Sequence, residues 1–244
     1  MRTAPATPAV PPAPPAPFVT RGPLREAVLL AHEEDGQRWP MLVWAPGPGT
    51  RMVSSAVLGG GIGERGWVLN AQVPPGYGRL DPVAHLRALA VDAGLDGPGV
   101  GLMTAAPVAE RCHAADGGAE AVVTAGIGVR GWAAVPDDGA LTAPRRPGTI
   151  NILVSLPVPL TDAALVNAVA TATEAKTQAL VELGADASGT PTDAVCVACP
   201  SPGTVDGRQP EAFAGPRSLW GARIARAVHR AAREACAAAL ARHG

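Results

Sequence analysis

The chain has 244 residues, 47% of them hydrophobic and 17% charged, with a formal net charge of −1. That composition suits a globular protein with a real core and excludes wholesale disorder. Near-neutral charge with scattered arginines argues against nucleic acid as a partner, and no apolar run reaches the roughly 18 to 20 residues that span a bilayer.

The first 20 residues, mostly Ala and Pro, read as a disordered polyproline-like tail without the apolar stretch of a signal peptide. Residues 21–244 then form a single domain, expected in the cytoplasm. Leu24 to His32 and Trp39 to Ala45 read as two strands around the polar turn Glu33-Glu34-Asp35-Gly36. Arg51 to Leu58 is a third strand that ends in flexible Gly59-Gly60-Gly61-Ile62-Gly63, and Trp67 to Val73 is a fourth. Asp81-Pro82 opens a helix through Ala93, with Asp at the N-cap and Pro in the first turn, and Gly94 stops it. Val100 to Val108 and Glu120 to Ala125 are strands separated by a polar connection, and residues 136–148 form an exposed loop. Thr149 to Leu156 is a strongly apolar strand. Thr161 or Asp162 caps a long helix to Leu183, Val195 to Ala198 is another strand, and Ser218 caps a last helix to about Arg242. About eight strands and three main helices in mixed order predict an α/β or α+β fold, a layered mixed-sheet domain.

Local repetition adds little. Gly61-Ile62-Gly63-Glu64-Arg65-Gly66-Trp67 returns as Gly126-Ile127-Gly128-Val129-Arg130-Gly131-Trp132, but the flanks do not extend the match. Neither copy is a phosphate loop. Cys196-x-x-Cys199 lies in an apolar run and reads as strand filling, because no second ligand pair at zinc spacing accompanies it. The five histidines, His32, His85, His113, His229 and His243, are widely spaced, so no catalytic metal and no cofactor are expected. Arg223, Arg226, Arg230 and Arg233 recur at helical spacing as a solvated face.

Lys176 is the sole lysine beside 19 arginines. On a helical wheel it falls among Leu165, Val169, Ala172, Ala179, Leu180 and Leu183, while Asn167, Thr171, Glu174, Gln178 and Glu182 lie opposite. An amine on a buried face must find a carboxylate or carbonyls, or lose its proton. Two readings stay open: a structural ion pair, or an amine lining a substrate pocket. Glu174 is less favourably placed, though an acid–base role is also open to it. In the preceding strand Ile150, Ile152 and Val154 face one way, and Thr149, Asn151, Leu153 and Ser155 the other. Asn151 among apolar neighbours therefore needs a hydrogen-bonding partner. Ser188-Gly189-Thr190-Pro191-Thr192-Asp193 is a hydroxyl-rich turn that can hold polar ligand groups or simply turn the chain.

Taken in order, Gly148-Thr149-Ile150-Asn151-Ile152, Pro159-Leu160-Thr161-Asp162-Ala163-Ala164-Leu165, Ala170-Thr171-Ala172-Thr173-Glu174-Ala175-Lys176-Thr177 and Gly189-Thr190-x-Thr192-Asp193-Ala194-Val195 resemble the adenosylcobinamide amidohydrolases. Arg51-x-x-Ser54-Ser55, Gly59-Gly60-Gly61, Asn70, Thr104-Ala105-Ala106 and Thr124-Ala125-Gly126 fit the same pattern upstream, and the likeness covers roughly residues 51–235. The resemblance implies an amide hydrolase that removes (R)-1-amino-2-propanol from adenosylcobinamide and leaves adenosylcobyric acid. Its partner would be a corrinoid, with a homo-oligomer as an open option. It implies Lys176, Asp193, Glu174 and Asn151 as catalytic candidates. Thr190, Thr192, Ser54, Ser55, Asn70, Thr104, Thr124 and Thr149 become substrate-binding candidates, with Trp67 or Trp132 as apolar walls. The attacking group is open: water activated by Asp193 or Glu174, or a Ser or Thr hydroxyl with Lys176 as base. Two departures stand out. Pro191 occupies a position where the family usually has Gly, and Val129 one where it often has Asn. A non-catalytic corrinoid-binding protein and an amidohydrolase of other amides are the alternatives. The Gly-Thr-Ile strand and the following helix are also similar to the αββα hydrolases that self-process at Ser or Thr, which would imply an αββα sandwich.

Overall fold

The computed structural model describes residues 19–20, 22–134 and 148–242. Most of the tail and of the loop expected over 136–148 therefore lies outside the described residues. Thr20, placed in the tail by its composition, is tied to the domain, donating its N–H to the Ala45 carbonyl and accepting from the Ala45 N–H on its hydroxyl.

Among the described residues, ten strands and three α-helices form four layers. The strands are β1 (Val28–Glu34), β2 (Gln37–Trp44), β3 (Thr50–Ser54), β4 (Gly61–Glu64), β5 (Val68–Gln72), β6 (Val100–Thr104), β7 (Cys112–Asp116), β8 (Ala119–Gly126), β9 (Thr149–Ser155) and β10 (Ala194–Pro200). The helices are α1 (Pro82–Asp92), α2 (Asp162–Glu182) and α3 (Leu219–Ala241). One sheet has the order β1-β2-β5-β6 and the other β4-β3-β10-β9-β8-β7. Both are mixed, with parallel β5–β6 and β9–β10 pairs among antiparallel ones.

Alternation along the strands sorts the side chains into three apolar layers. Met41, Val43, Leu69 and Ala71 pack against Leu86, Leu89 and Ala90 of α1. The opposite faces of the same strands, through Leu42, Trp44, Val68 and Leu102, meet Met52, Val122, Leu153 and Cys196 of the second sheet. The outer face of that sheet, with Ile150, Ile152, Val154 and Val197, is covered by α2 and α3. The order is α1, four-stranded sheet, six-stranded sheet, α2 and α3, which is the αββα sandwich.

Several boundaries differ from the sequence reading for local reasons. The segment expected as the first strand begins with a 3-10 turn, Leu24–Glu26, and pairing starts only at Val28. β1 and β2 join through Asp35 and Gly36, both at positive φ (51° and 71°), the geometry a tight two-residue hairpin requires. The glycine run after β3 is not a flexible end: Gly61–Glu64 pairs with β3 as an edge strand. The polar connection before β8 contains β7, whose exposed alternate residues hid its strand character. Asp81 does occupy the N-cap of α1, yet its carboxylate makes no cap bond and instead accepts two bonds from Arg79. The caps of α2 and α3 follow expectation, with Thr161 accepting from the Ala164 N–H and Ser218 from the Gly221 N–H. Thr171, assigned to the polar side of α2, is buried and donates to the Ala214 carbonyl, because the chain before α3 folds over that side. The two copies of the seven-residue match have unrelated structure, one an edge strand and the other the end of β8 and its loop.

The Cys-x-x-Cys pair sits on β10, where a spacing of three puts the thiols on opposite faces: Cys196 between the sheets and Cys199 under the helices. All four cysteines are free and buried, and burial pushes the Cys196 and Cys236 thiols up to about 12 and those of Cys112 and Cys199 to about 11. Arg226 and Arg230 pair with Asp116, and Arg223 lies over the Trp220 ring, so the arginine face of α3 braces β7.

Candidate active site

Strand directions gather the predicted polar residues at one end of the sandwich. β9 and β10 start there, while β3, β5, β6 and β8 finish there. Within that end the residues form two networks on opposite faces of β9.

The first lies on the helical side. Lys176 Nζ donates to Asp193 Oδ2 at 2.6 Å, and the two side chains are only 8% and 14% exposed. Asp193 Oδ2 also accepts the Thr190 N–H at 3.1 Å. Its Oδ1 accepts the Ile150 N–H at 2.8 Å and lies 2.5 Å from Thr190 Oγ1. The carboxylate thus ties α2, β9 and the 188–193 turn together, and donors occupy both of its oxygens. Thr190 and Thr192 each have a hydroxyl 2.8 Å from the Gly148 carbonyl, and Thr192 Oγ1 lies 2.6 Å from Thr149 Oγ1. Gly189 makes the ion pair possible, since a Cβ there would collide with Asp193 Oδ2 and Lys176 Nζ. Sequence reading placed Gly189 in the hydroxyl-rich turn and at the head of a family motif but gave it no role of its own.

The second network lies between the sheets. Asn151 Nδ2 donates to Asn70 Oδ1 at 2.8 Å and to the Met103 carbonyl at 3.2 Å, and Asn70 Nδ2 donates to Thr124 Oγ1 at 3.1 Å. Asn70, Thr124 and Asn151 are all essentially buried, and Asn151 Oδ1 has no hydrogen-bond partner. Thr104 accepts the Ala106 N–H and shapes the turn after β6. Lys176 and Asp193 therefore share an end of the molecule with Asn151, but the sheet separates them into two layers.

At the β3 end, Ser54 is buried with both capacities used, donating to the Val195 carbonyl and accepting from the Ala56 N–H. Ser55 is exposed, and its Oγ accepts the Val195 N–H at 3.0 Å, which leaves its own proton unassigned. Glu174 is exposed on the far side of α2 from Lys176. Trp132 follows β8 at the site end, half-exposed, with Nε1 donating to Asp186. Trp67, the other suggested wall, is buried at the opposite end, where β5 begins, and donates to the Gly97 carbonyl.

An αββα sandwich with a polar cluster at the ends of its strands defines a site, and the chemistry has to be argued from that site and not from the fold. The match to the adenosylcobinamide amidohydrolase (CbiZ) family extends over residues 26–244, nearly all of the described structure. An adenosylcobinamide amidohydrolase from Methanosarcina mazei is 32% identical over 178 residues, covering 71% of this chain and 84% of its own. The chain belongs to the adenosylcobinamide amidohydrolase family. Among solved structures, the PH0078 protein from Pyrococcus horikoshii OT3 aligns over 89% of this chain and 86% of its own, with 13% identity and a TM-score of 0.45.

Proposed function

We propose that this protein hydrolyses the amide between the corrin ring's propionate arm and (R)-1-amino-2-propanol in adenosylcobinamide, releasing adenosylcobyric acid. The observation that carries the proposal is family membership over the whole domain, with Lys176, Asp193, Asn151 and the hydroxyls of the 188–193 turn at one end of the sandwich. A corrinoid presents a rim of carboxamides around apolar ring faces. The threonine hydroxyls of the 188–193 turn and the half-exposed Trp132 match those two demands.

The geometry also divides the candidate roles. With donors on both Asp193 oxygens, its carboxylate is placed to hold Lys176 and the turn rather than to take a proton from water. Lys176 supplies a fixed positive charge for a developing oxyanion. Of the predicted hydroxyls, Ser55 combines exposure with an uncommitted proton and is the candidate nucleophile. Glu174 faces away and takes no part.

Incubating the purified protein with adenosylcobinamide and following adenosylcobyric acid by mass spectrometry tests the reading. Turnover is expected. Tight binding without turnover would instead favour a sequestering protein, and cleavage of other amides with corrinoids left intact would favour a different amidohydrolase. Ser55→Ala should lower kcat by at least about 100-fold if the hydroxyl attacks. An unchanged kcat assigns the attack to water.

A further inference from the structure

A second polar cluster lies on the other side of the four-stranded sheet, under α1, and the amide chemistry leaves it unused. His32 and Glu34 are two apart on β1, so strand alternation puts both on the face turned to α1, and His85 comes down from the first turn of that helix. Each of the three has a nitrogen or oxygen atom within 4.8 Å of the others. His32 and His85 are nine-tenths or more buried, and the Glu34 side chain is 12% exposed.

Hydrogen bonding decides which atoms are available. His32 Nε2 lies 2.8 Å from the Gln72 carbonyl, which can only accept, so the His32 proton is on Nε2. That carbonyl is free for the ring because Pro40, which the β2–β5 register carries beside Gln72, has no N–H to give it. Nδ1 of His32 is left as a bare lone pair, buried and without a partner. His85 Nε2 lies 3.0 Å from Glu34 Oε2, and its Nδ1 lies 2.9 Å from the Tyr77 hydroxyl. Moving one proton from Nε2 to Nδ1, where the Tyr77 oxygen can accept it, turns His85 Nε2 and the Glu34 carboxylate into two adjacent ligand atoms. A ligating imidazole held through its other nitrogen by a carbonyl or hydroxyl is the usual support of a metal-binding histidine, and both rings have that support here.

From this geometry we infer that His32 Nδ1, His85 Nε2 and the Glu34 carboxylate form a binding site for one divalent transition-metal cation. The site takes zinc or its neighbours rather than magnesium or calcium, because two of the three ligands are imidazoles. Three protein ligands leave a coordination position for water or another small ligand. His32 also lines a cleft of about 470 Å³ with Arg38, Leu89 and Asp92, a route by which an ion can reach the buried ring. The thiols contribute nothing: no cysteine lies in this cluster.

Titrating the full chain, first stripped with a chelator, against Zn²⁺ alone in a calorimeter tests the inference. One equivalent should bind, and Co²⁺ in its place should give visible ligand-field bands without a thiolate charge-transfer band. His32→Ala and the isosteric Glu34→Gln should each weaken binding by about 10-fold or more. Circular dichroism of both variants checks the fold, and the Gln variant retains the shape of the buried side chain. No binding, undiminished affinity in both folded variants, or a thiolate band with Co²⁺ would overturn the assignment. The readout is the cation itself, so the result stands apart from corrinoid turnover.

Discussion

Replacing Lys176 with Met isolates the part played by the buried ion pair. The substitution keeps most of the apolar stem and deletes the charge, leaving the Asp193 carboxylate only 14% exposed and without its cation. Breaking a buried pair by removing one partner costs about 3 to 5 kcal/mol. Asp193 retains the Ile150 and Thr190 N–H groups and the Thr190 hydroxyl, so a cost at or just below the bottom of that range, about 2 to 3 kcal/mol, is expected here. For a domain of this size that is a fall in Tm of about 5 to 10 °C. Thermal unfolding followed by circular dichroism gives the stability. Assay well below the new Tm gives the activity, which should fall by at least about 100-fold. Asp193→Asn should be destabilising in its turn, and the double variant should cost less than the sum of the two singles. A Lys176→Met protein that melts within about 1 °C of the parent would refute the claim that the pair ties α2 to β9 and the turn.

Other perturbations address the remaining layers. Gly189→Ala places a methyl group against both members of the pair and should lower Tm and activity together, whereas an unaffected protein would mean the turn can shift freely. Asn151→Leu leaves Asn70 Oδ1 and the Met103 carbonyl without a donor between the sheets and should cost about 1 to 3 kcal/mol in denaturant unfolding; a neutral result would show that the network contributes nothing to stability. The four thiols should be inert to a thiol reagent in the native protein and all react in denaturant, and rapid native labelling of any would contradict their burial. Because the folded thiols ionise at about 11 to 12 and unfolded ones at about 8.5, the unfolded chain alone loses those protons first. Stability should hold below about pH 8.5 and decline as pH rises towards 12. Cys196→Val should flatten that decline, and an equally steep loss would exclude Cys196 as a contributor.

The layers were legible where periodicity is strong. β9 stands out as a dense apolar run, α2 carries an apolar stripe, and Thr161 and Ser218 mark their helices. β4 and β7 escaped because an edge strand is stabilised by backbone pairing with its neighbour, which glycine and exposed polar residues do not advertise. Lys176 was recognisable as a buried amine, and a carboxylate was one of the partners that electrostatics left open to it. That Asp193 would also cap Ile150, and that Asn151 would point to the other side of the sheet, depended on register between segments far apart in sequence. The same limit applies to His32 and His85. The His-x-Glu alternation on β1 is a local signal, but the histidine from α1 reaches it only through tertiary packing.

Hydrolysis of a corrinoid amide is tested most directly by isotope incorporation. With adenosylcobinamide in ¹⁸O-enriched water, free aminopropanol is expected together with adenosylcobyric acid whose new carboxylate carries one solvent oxygen per turnover. Recovery of intact adenosylcobinamide after saturating binding, or a product without solvent oxygen, would contradict it.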